Sequence, residues 1–442
     1  MNNLTKQSTK SFYKTLNPCR HQIEFKECCL DDSLPPYHKA RKIWEFVKNL
    51  ESDSCFRKIK SMAHAVGRPT TSPDVLLCLW LYALTEGISS GRKIADLSKY
   101  HDAYRWISGG VPINRTMLCE FRVLDSALFQ QLLTNSLAMM LRANLLIPED
   151  LAQDGSKLQA SAGGNTYRGE ATLTALLAEA NNYVKKVGAL SSQELKEIGA
   201  QKVGARKRAA REQEERIKDA QRELKKHQED IKNNKSCRSK KEVQKRLKNS
   251  RASYGDPTVR RMKMGDGGFR LAYNVQFVTG TKSRAIFGVD ITNSLDPGTL
   301  TPMMAQVNTR LEKIKFPFPE NWLADSAYSS AKDVTESAAL FPNCRLIAPT
   351  PMKDTELAKK PKSVDSKAVL SWKKMLGSDE FKEIYKQRCS SAEFSNMTTK
   401  ERGFERLRIR GSGKVLSQAL LYALMHNMMR FWDLLKNLEN IS

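Results

Sequence analysis

The chain has 442 residues, of which 40% are apolar, and 73 Lys+Arg against 48 Asp+Glu give a net charge of +25. This is material for two to three domains with ample core, so neither disulfides nor structural metals are needed for folding. No apolar run reaches the roughly 18 residues of a membrane span, the nearest being 75–84, so a spanning helix is excluded.

The opening residues from Met1 lack an apolar signal core, and the nine cysteines are odd in number with no CxxC pair. A cytoplasmic, nucleoid-associated protein with reduced thiols is the expectation. The positive charge calls for a polyanionic partner, nucleic acid first, because phosphates neutralised by Lys and Arg release condensed counterions. A basic membrane-surface protein and a ribosome-associated protein are the rivals, and no amphipathic anchor helix supports the first.

Residues 1–149 read as an all-α domain for DNA binding and assembly, punctuated by Gly67-Arg-Pro69, Gly87, Gly109-Gly110 and Pro112 and ending near Pro148. Within it Ser72 and Pro73 start an apolar helix over 75–85, a turn comes next, and a second helix begins at Arg92. This pair has helix-turn-helix spacing, readable either as a DNA reader or as plain core packing. Arg92 and Arg115 are the side chains on which sequence discrimination is expected to rest.

Residues 150–442 read as an α/β domain with a mixed sheet. Strand-like runs occur at 151–160, 269–279, 284–292, 322–324 and 345–348, the second and third flanking a hairpin turn. Helices are predicted over 300–314, 331–340 and a long final stretch, 380–438, with a lysine-rich loop at 353–374. Between the first two strands, about 169–268 carries no strand signal and reads as a basic helical insertion. Its apolar residues Ile217, Leu224 and Ile231 recur every seven, which suits a helical hairpin or short coiled coil. The basic run 232–251 is either a solvated arm or a phosphate-tracking one.

Three acids stand where chemistry could use them. Asp154 lies in a strand-like run before Gly155, which lets a backbone or a phosphate approach, although Asp-Gly is also a common turn. Asp325 follows a short apolar strand at its carboxyl end, where α/β sites form. Glu393 lies in a basic helix, where an acid is commonly a surface ion pair. Carboxylates so distributed suit two Mg²⁺ ions, roughly 3.5–4 Å apart, activating the attacking and leaving oxygens of a phosphodiester. No nucleophile elbow, P-loop or H-E-x-x-H offers a rival chemistry. Asp290 and Asp296 read as hairpin and turn residues, His426 as a packed histidine, and Cys19, His21, Cys28 and Cys29 as thiols and imidazole without zinc-site spacing.

The order Leu-Ala-Gln-Asp154-Gly-Ser-Lys, Asp256-Pro, Tyr273-Asn-Val-Gln276, Leu-Ala-Asp325-Ser-Ala-Tyr328 and Tyr385-x2-Arg388-x4-Glu393-x6-Lys400 resembles the DDE transposases of bacterial insertion sequences. The last pattern is similar to their Tyr-Arg-Glu-Lys signature, and the resemblance runs from about residue 34 to 427. It implies an RNase H-like core with Asp154, Asp325 and Glu393 as ligands of two Mg²⁺, Mn²⁺ being able to substitute. It also implies that Tyr328, Tyr385, Arg388 and Lys400 line the DNA path.

On a regular α-helix Glu393 would lie about 140° from Arg388 and about 20° from Lys400, so Lys400 is expected to share its face more closely. The implied activity is cleavage at element ends and transfer of the 3′-OH into target DNA. The partners are double-stranded DNA and a second copy of the chain or a larger assembly. A degenerate DNA-binding protein and a metal-dependent nuclease without strand joining are the alternatives.

Overall fold

The computed structural model describes residues 29–51, 70–189, 200–233, 239–352 and 355–439. The Gly67-Arg-Pro69 punctuation, Cys19, His21, Cys28 and part of the basic run, Lys235 and Arg238 among it, lie outside the described residues. Among the described residues no helix is long and apolar enough to cross a membrane, and Cys78, Cys119, Cys344 and Cys389 are free thiols.

The N-terminal region is helical: α1 (Lys39–Asn49), α2 (Pro73–Thr85), α3 (Gly91–Tyr100), α4 (Asp102–Ser108), α5 (Arg115–Arg122) and α6 (Ser126–Arg142). Every residue of α2 is buried, as expected of a helix that is apolar but for Asp74 in its first turn and Thr85 at its end. The α2–α3 pair therefore has a core helix first and an amphipathic one second, with Ser90 capping α3 through Lys93 N.

From Leu151 the chain builds a mixed sheet. Its strands are β1 (Leu151–Gln159), β4 (Arg260–Lys263), β5 (Phe269–Gly280), β6 (Ile286–Thr292), β7 (Asn321–Leu323) and β8 (Arg345–Ile347). β5 pairs antiparallel with β1 along one edge and with β4 and then β6 along the other, while β1, β7 and β8 run parallel. Helices α10 (Leu300–Lys313) and α11 (Ala331–Leu340) connect the later strands.

The inserted arm leaves and rejoins this sheet through a two-stranded ladder of β2 (Tyr167–Arg168) and β3 (Ala252–Ser253). Between them α7 (Glu170–Gly188) and α8 (Ala200–Asn233) form a helical hairpin, followed by α9 (Lys240–Lys248). Val203, Ala210, Ile217 and Leu224, seven residues apart, are buried along α8 together with Ala220. The stretch 169–268 is thus not free of strands. β3 and β4 lie within it, and β4 escapes notice because Arg260, Arg261 and Lys263 leave only Met262 buried on an edge strand.

The C-terminal stretch is likewise not one helix. The supposed loop 353–374 contains α12 (Thr355–Lys359) and most of α13 (Lys367–Met375). Then come α14 (Asp379–Arg388), a π turn (Cys389–Glu393), α15 (Phe394–Glu401) and α16 (Ser412–Glu439). Gly403 and Gly411 stop the helical run at φ +88 each, a conformation in which any Cβ is strained.

The terminal helix α16 is buried from Gln418 to Met428. It wedges between α2, α5 and α6 on one side and β6 on the other, and Asn427 bonds both polar atoms of the Ile286 backbone, at 2.7 and 3.0 Å. The helical region and the sheet thereby share one apolar core. A second tie is Arg310 of α10, buried and held by Thr134 and Gln130 of α6 and by the Phe287 carbonyl.

Candidate active site

β7 pairs with β1 only through Leu151 and Ala152. Beyond that point the two parallel strands part, and the opening at their carboxyl ends is a cleft of about 600 Å³. Asp154 and Asp325 both stand there, each two residues past the paired segment of its strand. Asp325 is held by Ala327 N, which donates to its Oδ1 at 2.7 Å and closes the short turn Ser326–Tyr328. Glu393, at the end of the π turn, lines the same cleft together with Asn396 and Lys400 of α15.

Arg388 ties two of these acids together. Its Nη2 donates to Asp154 Oδ1 at 3.0 Å and its Nη1 to Glu393 Oε1 at 2.9 Å. Asn396 Nδ2 donates to the other Asp154 oxygen at 2.8 Å. Burial pushes the Asp154 carboxyl above its usual range, against the pull of Arg388 and Asn396, and the neighbouring Asp325 charge adds to the rise. Burial opposes the Arg388 charge, but Asp154 and the other acids of the cleft outweigh it and hold the guanidinium above its ordinary value.

The donor set is one of hard oxygens, and Asn396 Oδ1 is a buried acceptor with no partner among the described residues, so the chemistry suits a hard divalent cation. Among the described residues no group of three or more His, Cys, Asp or Glu side chains is placed so as to hold a metal ion. The Arg388 guanidinium lies between Asp154 and Glu393 instead.

Behind Asp154, on the opposite face of β1, lies a buried amide network. Gln153 Nε2 donates to Gln276 Oε1 at 2.9 Å, and Trp322 Nε1 donates to Gln153 Oε1 at 3.2 Å. Asn274 and Gln276 each donate to Asp296 Oδ1, at 2.8 and 2.9 Å. Gly155 leaves room for these side chains rather than for a phosphate. A Cβ there would stand 2.5 Å from Gln276 Nε2 and 2.7 Å from Asn274 Oδ1, and closer still to Asp296 Oδ1. Asp296 also lines the cleft, so the turn residue is a fourth carboxylate at the site.

Tyr328 belongs to this network and not to a DNA-facing surface. It is fully buried, because its ring fills the core under the cleft, and its hydroxyl bonds Gln276 Oε1 at 2.6 Å. Tyr385 is half-buried, stacked on Phe381, and close enough to Arg388 and Asp325 to feel their charges. Lys400 is exposed on the rim. Arg388 is nearer to Glu393 than α-helical spacing predicts, since the π turn brings the two onto one face.

Arg92 and Arg115 are exposed at the starts of α3 and α5 and do not line the cleft. These two helix starts are packed together, for a Cβ on Gly91 would meet Cys119 Sγ at 3.0 Å. Asp256 is a buried structural acid, accepting from Tyr273 Oη at 2.8 Å and from Gly411 N. His426 is packed, its Nε2 facing the Arg284 carbonyl at 2.8 Å and its Nδ1 facing Thr398 Oγ1 at 3.1 Å.

Asn274, Gln276, Gln153 and Asn396 have no place in the sequence-based site. The signal that could have found the first two is an amide at every second position of an otherwise apolar strand, Tyr273-Asn-Val-Gln-Phe277, because buried amides demand partners.

Two family models match the chain. Residues 28–124 match a Transposase domain (DUF772), and residues 350–432 match a Transposase DDE domain. The second segment contains Arg388, Glu393 and Lys400, while Asp154 and Asp325 lie outside both. No curated protein and no solved structure matches the chain.

Proposed function

The chain belongs to the DDE transposases of insertion-sequence type, and from that premise we propose that it cuts DNA at the ends of its own element and joins the freed 3′-OH to target DNA. The observation that carries this reading is the convergence of Asp154, Asp325 and Glu393, from three distant segments, on one cleft with Lys400 at its rim. The strand order, three antiparallel neighbours followed by two parallel ones, supports an RNase H-like core. The helical region before about residue 150 is proposed as the end-binding and assembly domain, and the rest as the catalytic domain with its basic arm.

Asp154, Asp325 and Glu393 are the side chains that would hold Mg²⁺, with Mn²⁺ as a substitute. The metal would supply activation of the attacking oxygen and charge stabilisation of the leaving one. The chain's own cations do the rest. Arg388, held between two carboxylates, positions Glu393 against Asp154, and Lys400 offers a mobile charge to the strand phosphate. Two element ends must be processed together, so the working form is at least a dimer on DNA in the nucleoid.

The test is cleavage and strand transfer on duplexes carrying the element's ends. Asp154→Asn, Asp325→Asn and Glu393→Gln are each expected to lose cleavage while end binding persists, because binding rests on other surfaces. A variant that still cuts at the wild-type rate removes its residue from the site. Cutting without joining by the wild type would make the protein a nuclease.

A further inference from the structure

A second groove, of about 550 Å³, runs between the outer edge of the sheet and the arm. One wall is β4, an edge strand with nothing paired beyond it among the described residues, and the other is α8. Lys226, Arg261 and Lys263 line it, and among the described residues none of the three is in an ion pair. The lining acid Glu223 faces Arg260, which is drawn back against the carbonyls of Pro257, Val259 and Glu223. Asp230 is the other lining acid, so the groove keeps a positive excess.

Its floor carries an aromatic platform. Phe269 is 59% exposed, an unusual state for a phenylalanine, and the Arg261 guanidinium lies 5.5 Å from its ring centroid. The groove and the catalytic cleft are lined by residues close in the chain at two places. Lys263 and Phe269 flank the tight β4–β5 turn, whose Gly265 lines the cleft, and Leu295 of the groove adjoins Asp296 of the cleft. Met264 and Gly268 pair across that turn at 2.8 Å, and Arg270 bonds Asp266, so the saddle between the two is braced.

We propose that this groove holds an unpaired DNA strand as it leaves the cleft, a base resting on Phe269 and its phosphates on Arg261, Lys263 and Lys226. The inference rests on the transposase reading for the nature of the strand. Duplex DNA offers base edges and phosphates, whereas an exposed ring beside guanidinium matches the flat face that a base presents only when unstacked.

The experiment uses the full chain in EDTA, so that nothing is cut, and measures fluorescence anisotropy with an oligothymidylate of about 15 nucleotides and with a duplex of the same length. Phe269→Ala is expected to weaken single-strand binding roughly 5- to 150-fold and to leave duplex binding unchanged, with Phe269→Trp restoring affinity. Arg261→Gln with Lys263→Gln should lower the salt dependence of single-strand binding by about two phosphate contacts. Phe269→Ala without effect on the single strand, or with equal losses on both DNAs, overturns the proposal. Phe269 is exposed, so a matched melting curve excludes misfolding as the cause. If end cleavage fails while Phe269 still governs single-strand binding, the transposase reading falls and the groove stands. Normal cleavage with an indifferent Phe269 gives the reverse.

Discussion

Arg388 and Glu393 are five residues apart, yet their side chains meet at 2.9 Å, because the turn between them is π and not α. A π turn absorbs one extra residue without rotating the helix beyond it, so the pair occupies the same face that an i, i+4 pair would on a regular helix. Deleting Ser390, which is exposed and whose hydroxyl donates to the Gln387 carbonyl, should regularise the helix and keep the ion pair. Cleavage is expected to stay within about tenfold of wild type. Inserting an alanine after Ser390 should instead turn Glu393 by about 100° and abolish cleavage. Activity in the insertion variant, or its loss in the deletion variant, would show that the turn does something other than restore register.

A methyl group at position 155 has no free space, since Asp296, Gln276 and Asn274 already meet over Gly155. Gly155→Ala should therefore cost about 1–3 kcal/mol of stability by overpacking and should also slow cleavage through the displaced strand. Adding Asp296→Ala should recover part of the stability, because it removes one of the colliding groups. Thermal melts of the single and double variants check the coupling; strictly additive losses would contradict it.

Lys400 and Arg388 should fail differently. Lys400 is exposed on the cleft rim, so Lys400→Ala should leave the fold intact and reduce strand joining by about 10²-fold. Arg388 is buried and neutralises Asp154, so Arg388→Ala leaves a buried carboxylate without its cation. A loss of stability of about 3 kcal/mol should accompany that loss of activity. Melting curves beside joining assays separate the two, and an unstable Lys400→Ala protein would reassign Lys400 as structural.

The divalent ion offers a further check. Mg²⁺ and Mn²⁺ should support cleavage, while Ca²⁺, with its looser coordination, should permit assembly on DNA without turnover. Turnover in Ca²⁺ at the Mg²⁺ rate would weigh against hard-cation catalysis by these carboxylates.

His426 sets a pH limit on stability. Burial pulls its imidazole down to about 4 from 6.5. Between those values the unfolded chain binds a proton that the folded chain refuses, so stability is complete above pH 6.5 and drains away as the pH falls to about 4. The loss amounts to about 3 kcal/mol. His426→Gln should start less stable and show a flatter acid limb in denaturant titrations; an unchanged limb would assign acid sensitivity to other groups.

The sequence was most legible where burial and pattern agree. β5 and β6 stood out because mostly apolar runs flanking a turn have few other uses, and the hairpin between them followed from the turn residues, whereas β1 has only Leu151, Ala152 and Leu158 as apolar residues. β4 did not stand out, since a strand of Arg260, Arg261 and Lys263 looks like any solvated basic segment until its partner is known. The breaks at Gly403 and Gly411 were visible as glycines but not as left-handed ones. Asp154, Asp325 and Glu393 drew attention in the sequence because carboxylates suggest chemistry, and the fold brings the three to one cleft. Asn396 and Gln276 drew none, because an amide acquires meaning only from the atoms it faces. Tyr328, expected along the DNA path, is fully buried with its hydroxyl on Gln276, a placement its motif did not reveal.

The wedge made by α16 also bears on how the protein is born. Trp80 and Leu81 of the second helix leave the ribosome early, but the residues from Val415 onward that cover them are made roughly 330 positions later. At about 5–20 residues per second that is a wait on the order of half a minute, with a largely apolar helix short of its cover. The nascent chain is therefore a natural client for a holding chaperone. A copy of the gene interrupted ahead of codon 415 should yield pelleted chain instead of a stable fragment that competes for DNA.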